Sequence, residues 1–231
     1  MEIEMTCTYW RGPGHNLETL PDAEKPEQSA QRFYGKLIRE GYHLAKMWMY
    51  REDDSHELYW LVRFEAKGKK KQPRALMRTA EGEFFPCKPD FQNGAPLLNL
   101  QILRWNLTDT IWVVEGEKAY DMAESWGLLA TTWAGGASTI HRTNWTPLAG
   151  RKAVLWADNE QAGIDAVASL LPTLRAQGTI FARVDVEALG IRRHGDIVDW
   201  IDQMWKADPT ESTWELRVWS ALDHLPMVIE A

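Results

Sequence analysis

The sequence predicts an α/β fold in which a parallel sheet is flanked by helices and preceded by a small α+β region. Two observations predict it. In the second half of the 231-residue chain, short apolar runs alternate with segments of helical periodicity, as in βαβ units around a parallel sheet. In the first half, one helical segment precedes three aromatic and β-branched runs that are separated by polar turns, which is typical of an antiparallel meander.

The composition limits the class of protein. Apolar residues make up 45% and charged residues 26% of the chain, which is ordinary for globular domains and excludes a disordered or collagen-like chain. No stretch approaches the ~18 uninterrupted apolar residues of a membrane span, and residues 1–15 lack the apolar core of a signal peptide. We therefore expect a cytoplasmic protein with no membrane partner.

The cysteines and the net charge limit the ligands. Cys7 and Cys87 lie far apart and form no CxxC pair, so no zinc site is expected and both thiols should be reduced. The formal net charge of −7 argues weakly against a protein that coats nucleic acid, because phosphate neutralisation requires Lys and Arg. It leaves room for an enzyme with a local basic groove beside an acidic metal site.

The first twenty-five residues predict a loop or a short extended arm, and a helix that Gly41 closes follows. Its apolar residues at helical spacing are Ala30, Phe33, Tyr34, Leu37 and Ile38. The runs 43–50, 57–65 and 72–79 then predict three antiparallel strands. The hairpin between the last two carries a lysine run at 67–71, which fits either a solvated turn that discourages edge pairing or a phosphate contact. Residues 84–107, rich in Pro, Asn and Gly, form the connection to the second half.

The second half alternates strands and helices. The predicted strands are 110–114, 128–133, 153–157 and 180–184, and the predicted helices are 117–126, 160–176, 197–205 and a last one that begins at Asp208-Pro209. Pro172 should kink or divide the second of these helices near Leu171. We assign residues 1–107 to an N-terminal α+β region, 108–206 to the parallel-sheet domain and 207–231 to a C-terminal helical extension.

Acidic residues follow three of the four predicted strands. The clusters are Glu115-Gly116-Glu117-Lys118, Asp158-Asn159-Glu160 and His194-Gly195-Asp196 with Asp199. In an open parallel sheet, ligands gather at the carboxyl edge of the strands. Because neighbouring carboxylates repel each other, a hard divalent cation such as Mg²⁺ is the common remedy. The spacing of Asp158 and Glu160 suits one shared ion, and Glu115 suits a general base or a further ligand.

Helix capping is the alternative explanation for these acids. Glu117, and Asp158 or Glu160, could each favour the first turn of a helix through its dipole. Asp196 with Asp199 resembles an N-cap followed by an acid three residues later. Capping fits Glu115 poorly, because this residue ends a strand and precedes a glycine. Capping also does not predict that all these acids fall on one edge.

Three of these segments resemble the motifs of the Toprim domain. This domain occurs in bacterial-type primases, phage primase-helicases, type IA and II topoisomerases and certain nucleases. The segments are 111–118 (IWVVEGEK), 154–163 (VLWADNEQAG) and 194–200 (HGDIVDW). Thr131–Ser138, with Gly135-Gly136, fits the phage and plasmid primase branch. The resemblance covers roughly residues 108–205 and implies a Rossmann-like Toprim sheet.

The N-terminal region supports the same resemblance. Residues 59–64, the lysine hairpin and residues 96–103 are similar to the segment that precedes Toprim in phage and plasmid primases, where it forms part of the template-binding surface. The chain departs from the family in three ways: Glu160 replaces the usual Asp, no zinc-binding module is present, and no P-loop helicase motif follows. We expect a stand-alone primase core or a fragment whose partners supply template recognition.

The resemblance implies a DNA primase-like nucleotidyltransferase that acts in replication, uses Mg²⁺ or Mn²⁺, and makes primers on single-stranded DNA from nucleoside triphosphates. Glu115 and Lys118 would be catalytic, and Glu115, Asp158, Glu160 and Asp196 would be the metal ligands. The candidates for nucleic-acid or nucleotide binding are Lys67, Lys69, Lys70, Lys71, Arg74, Arg142, Arg192 and Arg193, and Arg151 is expected near the same edge. The alternatives are a Toprim nuclease and a non-catalytic Toprim module that binds single-stranded DNA or a replication helicase.

Overall fold

The computed structural model describes residues 24–52, 57–79, 82–207 and 214–228. The chain divides into two compact units, residues 1–96 and 97–231, and the domain boundaries that we assigned stay a prediction. The predicted helix start at Asp208-Pro209 and residues 1–23 of the predicted N-terminal arm lie outside the described residues. No helix in the described ranges is both long and apolar enough to cross a membrane. Cys87 is disulfide-bonded, whereas we expected reduced cysteines.

The first unit contains two short helices and an antiparallel sheet. Its elements are α1 (Pro26–Phe33), α2 (Gly35–Arg39), β1 (His43–Arg51), β2 (Glu57–Glu65), β3 (Gln72–Arg78) and β4 (Phe84–Phe85). The single helix that we predicted is divided at Tyr34, whose backbone leaves helical geometry (φ −101°, ψ 24°). The Tyr34 hydroxyl donates to the carbonyl of Ala75, and its ring packs edge-on against Phe64 at 5.6 Å. This packing anchors the break against the sheet.

The strands of the first unit pair in sequence order, β1-β2-β3-β4, and every pairing is antiparallel. This confirms the predicted meander. One face of the sheet covers a core that includes Val62, Phe64 and Leu76 of the central strands together with Ala30 of α1, all of them fully buried. Burial of Val62 and Phe64 on one face of β2 sets its register against both neighbours.

The second unit contains a five-stranded sheet with helices. Its elements are α3 (Leu100–Trp105), β5 (Ile111–Val114), α4 (Glu117–Ser125), β6 (Ala130–Thr131), two 3-10 turns (Ala137–Arg142 and Thr146–Leu148), β7 (Lys152–Trp156), α5 (Gln161–Ala176), β8 (Ile180–Val184), α6 (Ile197–Ala207), α7 (Trp214–Leu222) and β9 (Met227–Val228). The strand order is β6-β5-β7-β8-β9. The first four strands are parallel, and β9 joins the edge antiparallel to β8.

Helices cover both faces of this sheet, as predicted. Val113 and Leu155 point into a core on one face that includes Val167 and Leu174 of α5. On the other face, the Trp156 ring meets Trp200 of α6 edge-on at 5.5 Å. Burial on both faces explains why the central strands are short continuous apolar runs instead of alternating ones.

Pro172 does not divide α5, so this prediction was wrong. The helix runs unbroken from Gln161 to Ala176 with Pro172 inside it. Proline removes the hydrogen bond to the carbonyl four residues earlier, here Ala168. Both Pro172 and Ala168 are exposed, so water can solvate that carbonyl and the helix tolerates the proline.

Candidate functional site

Glu115 lies at the carboxyl end of β5, next to the corresponding end of β7. The two strands are hydrogen-bonded neighbours with Val114 opposite Trp156. The Asp158 backbone N–H donates to Oε2 of Glu115 at 3.3 Å. Gly116 then turns the chain with φ +85° and ψ 156°, a conformation that favours glycine. Its N–H donates to Oγ1 of Thr132 at 2.9 Å. The first two acidic clusters therefore meet, as predicted.

Gly163 makes room for the Glu115 carboxylate. A Cβ atom at Gly163 would lie 2.6 Å from Oε2 of Glu115 and 3.1 Å from the carbonyl oxygen of Asp158. Gly163 belongs to the first turn of α5, which begins after Glu160, so the carboxylate lies beside the positive end of that helix. Sequence reasoning did not select Gly163 as a site residue. The signal was a glycine inside a helix, where it is about 1 kcal/mol less favourable than alanine.

The third acidic cluster is tied to the second through Asn159. The Asn159 N–H donates to the carbonyl of Gly195 at 2.7 Å, and the His194 N–H donates to the carbonyl of Asn159 at 2.8 Å. The Asn159 side-chain amide also donates to the carbonyls of Ile191 (3.0 Å) and Arg192 (3.3 Å). The loop 191–195 is thereby held against the loop that follows β7. The sequence analysis placed Asn159 between the two acids of the second cluster but assigned it no role.

Asp196 and Asp199 cap α6. Oδ1 of Asp196 accepts from the N–H groups of Val198 (2.7 Å) and Asp199 (3.0 Å), and Oδ2 of Asp199 accepts from the Asp196 N–H at 3.2 Å. This reciprocal arrangement is a capping box, so the capping interpretation of this pair is confirmed. The other oxygen of Asp196 lies 3.9 Å from Nζ of Lys118, which places Lys118 at the same edge. The ligand role of Asp196 stays a prediction.

Glu160 occupies the N-cap position of α5, but its side chain makes no cap hydrogen bond. Its Oε2 instead contacts Nδ1 of His194. The sequence analysis placed His194 in the third cluster but did not predict this contact, because nothing local in the sequence signals a contact between residues this far apart.

The chemistry of the donors at this edge fits a hard divalent cation. Glu115 and Asp158 supply carboxylates on neighbouring loops, and Mg²⁺ is typically held by one or two carboxylates together with waters and substrate phosphates. Within the described ranges, no group of three or more His, Cys, Asp or Glu side chains converges closely enough to hold a metal ion. The cation and its four-ligand set therefore stay predictions.

The basic residues of the first unit differ in their surroundings. Nζ of Lys69 donates to the carbonyl of Glu40 at 2.6 Å and lies 5.3 Å above the Tyr42 ring. Arg74 donates to the carbonyl of Pro73 and to the side chain of Gln72. Lys67, Lys70 and Lys71 are exposed at the hairpin tip. Lys69 therefore braces the hairpin, while the other lysines face solvent.

The arginines of the second unit also separate into groups. Arg192 pairs with Oδ1 of Asp199 at 2.9 Å, and Arg142 and Arg193 are exposed. Arg151 precedes β7 and so belongs to the opposite, amino edge of the parallel strands. Its guanidinium donates to the carbonyls of Leu103 (3.0 Å) and Asn106 at the end of α3. Our placement of Arg151 near the carboxylates was wrong, because a residue that starts a strand cannot lie at its carboxyl end.

Comparisons with known proteins identify the fold. No protein-family model matches the chain, and no curated protein matches it. Among solved structures, the chain is similar to the Aquifex aeolicus primase (zinc-binding and RNA polymerase domains), with 16% identity and a TM-score of 0.51. That match covers 78% of this chain and 40% of the Aquifex chain. The chain thus shares its α/β fold, with a helix-flanked parallel sheet and an antiparallel sheet, with a DnaG-type primase.

Other solved structures match at lower TM-scores. They include the DnaG catalytic core (19% identity, TM-score 0.40, covering 60% of this chain and 43% of that one) and the DnaG primase catalytic domain bound to ssDNA (14% identity, TM-score 0.40, covering 88% and 74%). At these scores we draw nothing further from them.

Proposed function

We propose that the chain is a Toprim-type, primase-like nucleotidyltransferase that builds primers on single-stranded DNA from nucleoside triphosphates and requires Mg²⁺ or Mn²⁺. One observation carries the proposal. The Glu115 carboxylate is seated on the Asp158 N–H at the carboxyl ends of two neighbouring parallel strands, and Gly163 provides the space for it. The fold shared with the Aquifex aeolicus primase supports it.

In this proposal, different residues at this edge bind the cation, accept a proton and contact the substrate phosphates. Asp158 and Glu115 would hold the cation, with Asp196 as a further candidate; when bound, the cation neutralises charge on the substrate phosphates. Glu115 would also accept the proton of the attacking 3′-hydroxyl. Lys118, which is held near Asp196, would contact a phosphate oxygen. The protein's own contribution is positioning and charge complementarity.

The exposed lysines Lys67, Lys70 and Lys71 are the proposed contacts to the template backbone, because exposed cations on a hairpin can follow phosphates without reading sequence. The same electrostatic contact does not require a basic protein overall, which agrees with the net charge of −7. A replicative helicase is a proposed partner that would deliver the single-stranded template.

Primer synthesis on single-stranded DNA with nucleoside triphosphates and Mg²⁺ or Mn²⁺ tests the proposal. Glu115→Gln should reduce synthesis by about a hundredfold or more, since a general base contributes at least that much. Glu117→Gln is the matched control, because Glu117 is two residues away in the first turn of α4 and should retain synthesis. Equal synthesis by Glu115→Gln and wild type would defeat the assignment of Glu115.

A second candidate is a non-catalytic module that binds single-stranded DNA or a helicase. The capping role of Asp196 and the lack of a three-group metal cluster in the described part of the chain favour it. Titration with MnCl₂ separates the candidates: saturable binding that is lost in Asp158→Asn supports the enzyme, and no binding supports the module. Cleavage of DNA or RNA without nucleotides would instead indicate the nuclease.

A further inference from the structure

We propose that Glu160 is a positioning residue that acts through His194 and is not a metal ligand. The Glu160–His194 contact would fix the loop 191–195, which we call the clamp loop, against the sheet edge that carries Glu115 and Asp158. The effect on catalysis rests on the proposed function, whereas the structural part of the inference does not.

The contact itself is the first observation. Oε2 of Glu160 meets Nδ1 of His194, with the Glu160 side chain 30% and the His194 side chain 60% exposed. Carboxylate oxygens accept hydrogen bonds, so Glu160 is the acceptor of this contact and the His194 ring is the donor. Glu160 is therefore already engaged by a donor from the clamp loop. Aspartate, one methylene shorter, would not reach His194 from the same backbone position.

The backbone of His194 is the second observation. Its φ of +61° lies in the left-handed region, which is unfavourable for a residue with a Cβ atom and persists only where the surroundings determine it. Here the surroundings are the bond from the His194 N–H to the Asn159 carbonyl and the side-chain contact to Glu160. The clamp loop is thus held in a costly conformation by the loop after β7.

The two other roles for Glu160 fit less well. Helix capping by its side chain is not observed, although Glu160 is the N-cap residue of α5. Coordination of a cation would have to displace the His194 ring, because the Glu160 carboxylate is already engaged by it. The Glu160 side chain contacts His194 and thereby links the two loops.

The clamp loop carries groups that the reaction would use. Arg192 pairs with Asp199, Arg193 is exposed, and the loop leads directly into Asp196, which approaches Lys118. Releasing the loop should displace these cations from the substrate phosphates while leaving Glu115 and Asp158 in place. We expect weaker nucleotide binding, seen as a higher KM, with kcat and metal affinity less affected.

The test uses the full chain with the variants Glu160→Ala, His194→Ala, His194→Gly and the double variant Glu160→Ala/His194→Ala, because alanine leaves no acceptor for the His194 ring. Each single variant should raise the KM for ATP about tenfold, and the double variant should be no worse, because both remove one contact. His194→Gly relieves the left-handed strain and should remain as stable as wild type, yet it should show the same rise in KM. Asp165→Asn, on the exposed side of α5, is the matched control and should behave as wild type.

Two measurements do not depend on activity. In MnCl₂ titrations, Glu160→Ala should keep the wild-type affinity within about twofold, whereas loss of a direct ligand would weaken it by tenfold or more. Trypsin should cleave after Arg192 or Arg193 faster in Glu160→Ala than in wild type, because the clamp loop is released. Weakened Mn²⁺ binding in Glu160→Ala, additive effects on KM, or unchanged trypsin cleavage would each overturn the inference. If no primer synthesis is found, the proposed function fails, and these two measurements still decide the role of Glu160.

Discussion

Substituting Gly163 by alanine directly tests the position of the Glu115 carboxylate. The new Cβ atom would lie 2.6 Å from Oε2 of Glu115, where ordinary contact begins at 3.4 Å, and 3.1 Å and 3.3 Å from backbone atoms of Asp158. The Asp158 backbone is fixed by β7 and by the Asn159 bonds, so the carboxylate must move, by about 0.8 Å. A displacement near 1 Å at a reacting group costs on the order of 10²-fold in rate. We expect Gly163→Ala to lower primer synthesis by about tenfold to a hundredfold.

The expected change in stability follows from two opposing effects. Replacing a helical glycine by alanine stabilises by about 1 kcal/mol, whereas overpacking costs about 1–3 kcal/mol. The net change should therefore lie between roughly zero and a loss of about 2 kcal/mol. Gly35→Ala is the control, because its Cβ would meet only Arg39 at 3.5 Å, so it should gain up to about 1 kcal/mol.

Urea unfolding, primer synthesis and MnCl₂ titration on both variants complete the test. If Gly163→Ala gained as much stability as Gly35→Ala and kept wild-type synthesis and Mn²⁺ affinity, the carboxylate would not occupy the position described, and the central geometric premise of the proposed function would fall.

Three further outcomes follow from the structure. Burial raises the pKa of the Glu57 carboxyl above its ordinary 4.5, so the stability contributed by its protonated form is complete below pH 4.5 and is lost as the pH rises through the folded pKa. Glu57→Gln should therefore raise Tm at pH 7 and leave it unchanged near pH 4. An equal gain in Tm at both pH values would contradict this. Arg151→Ala should lose about 1–3 kcal/mol in urea unfolding, because the α3 carbonyls lose their donors, with Mn²⁺ affinity unchanged. Lys71→Ala should reduce the slope of log binding constant against log salt concentration for single-stranded DNA by about one, without a change in Tm. Lys69→Ala should also lower Tm, because Lys69 braces the hairpin. Identical Tm values for the two variants would refute this bracing role.

The strands that carry the site were predictable because their burial is simple. β5 and β7 are apolar on both faces, so a short apolar run bounded by polar residues marks each of them. β6 was predicted too long, as 128–133, and only Ala130–Thr131 pairs as a strand. The following residues look equally strand-like but have other partners: Thr132 accepts from Gly116, and the Trp133 indole donates to the carbonyl of Gly136. Hydrogen bonds of that kind do not alter the pattern of apolar and polar residues, so the sequence does not reveal where the strand ends.

Among the site residues, too, local sequence patterns could be predicted, whereas contacts between distant segments could not. Asp196 and Asp199 are three residues apart, and a local capping box reveals itself by that spacing. The contact of Glu160 with His194 joins two loops that only the folded sheet brings together. The only sign of this contact in the sequence is that position 160 carries Glu instead of the shorter Asp. That difference can be interpreted only once the position of His194 is known.

Capping does not by itself remove Asp196 from the reaction. Its two oxygens do different things: Oδ1 accepts the two backbone N–H groups of α6, and Oδ2 lies 3.9 Å from Nζ of Lys118. A carboxylate has about four acceptor directions, so the cap uses one oxygen and holds the other in a fixed orientation. Asp196→Asn can keep the capping oxygen while it removes the charge, so it should preserve the stability of α6 and lose the pairing with Lys118. Loss of synthesis in Asp196→Asn at unchanged Tm would then assign a catalytic role to the uncapped oxygen, and full synthesis would restrict Asp196 to the helix.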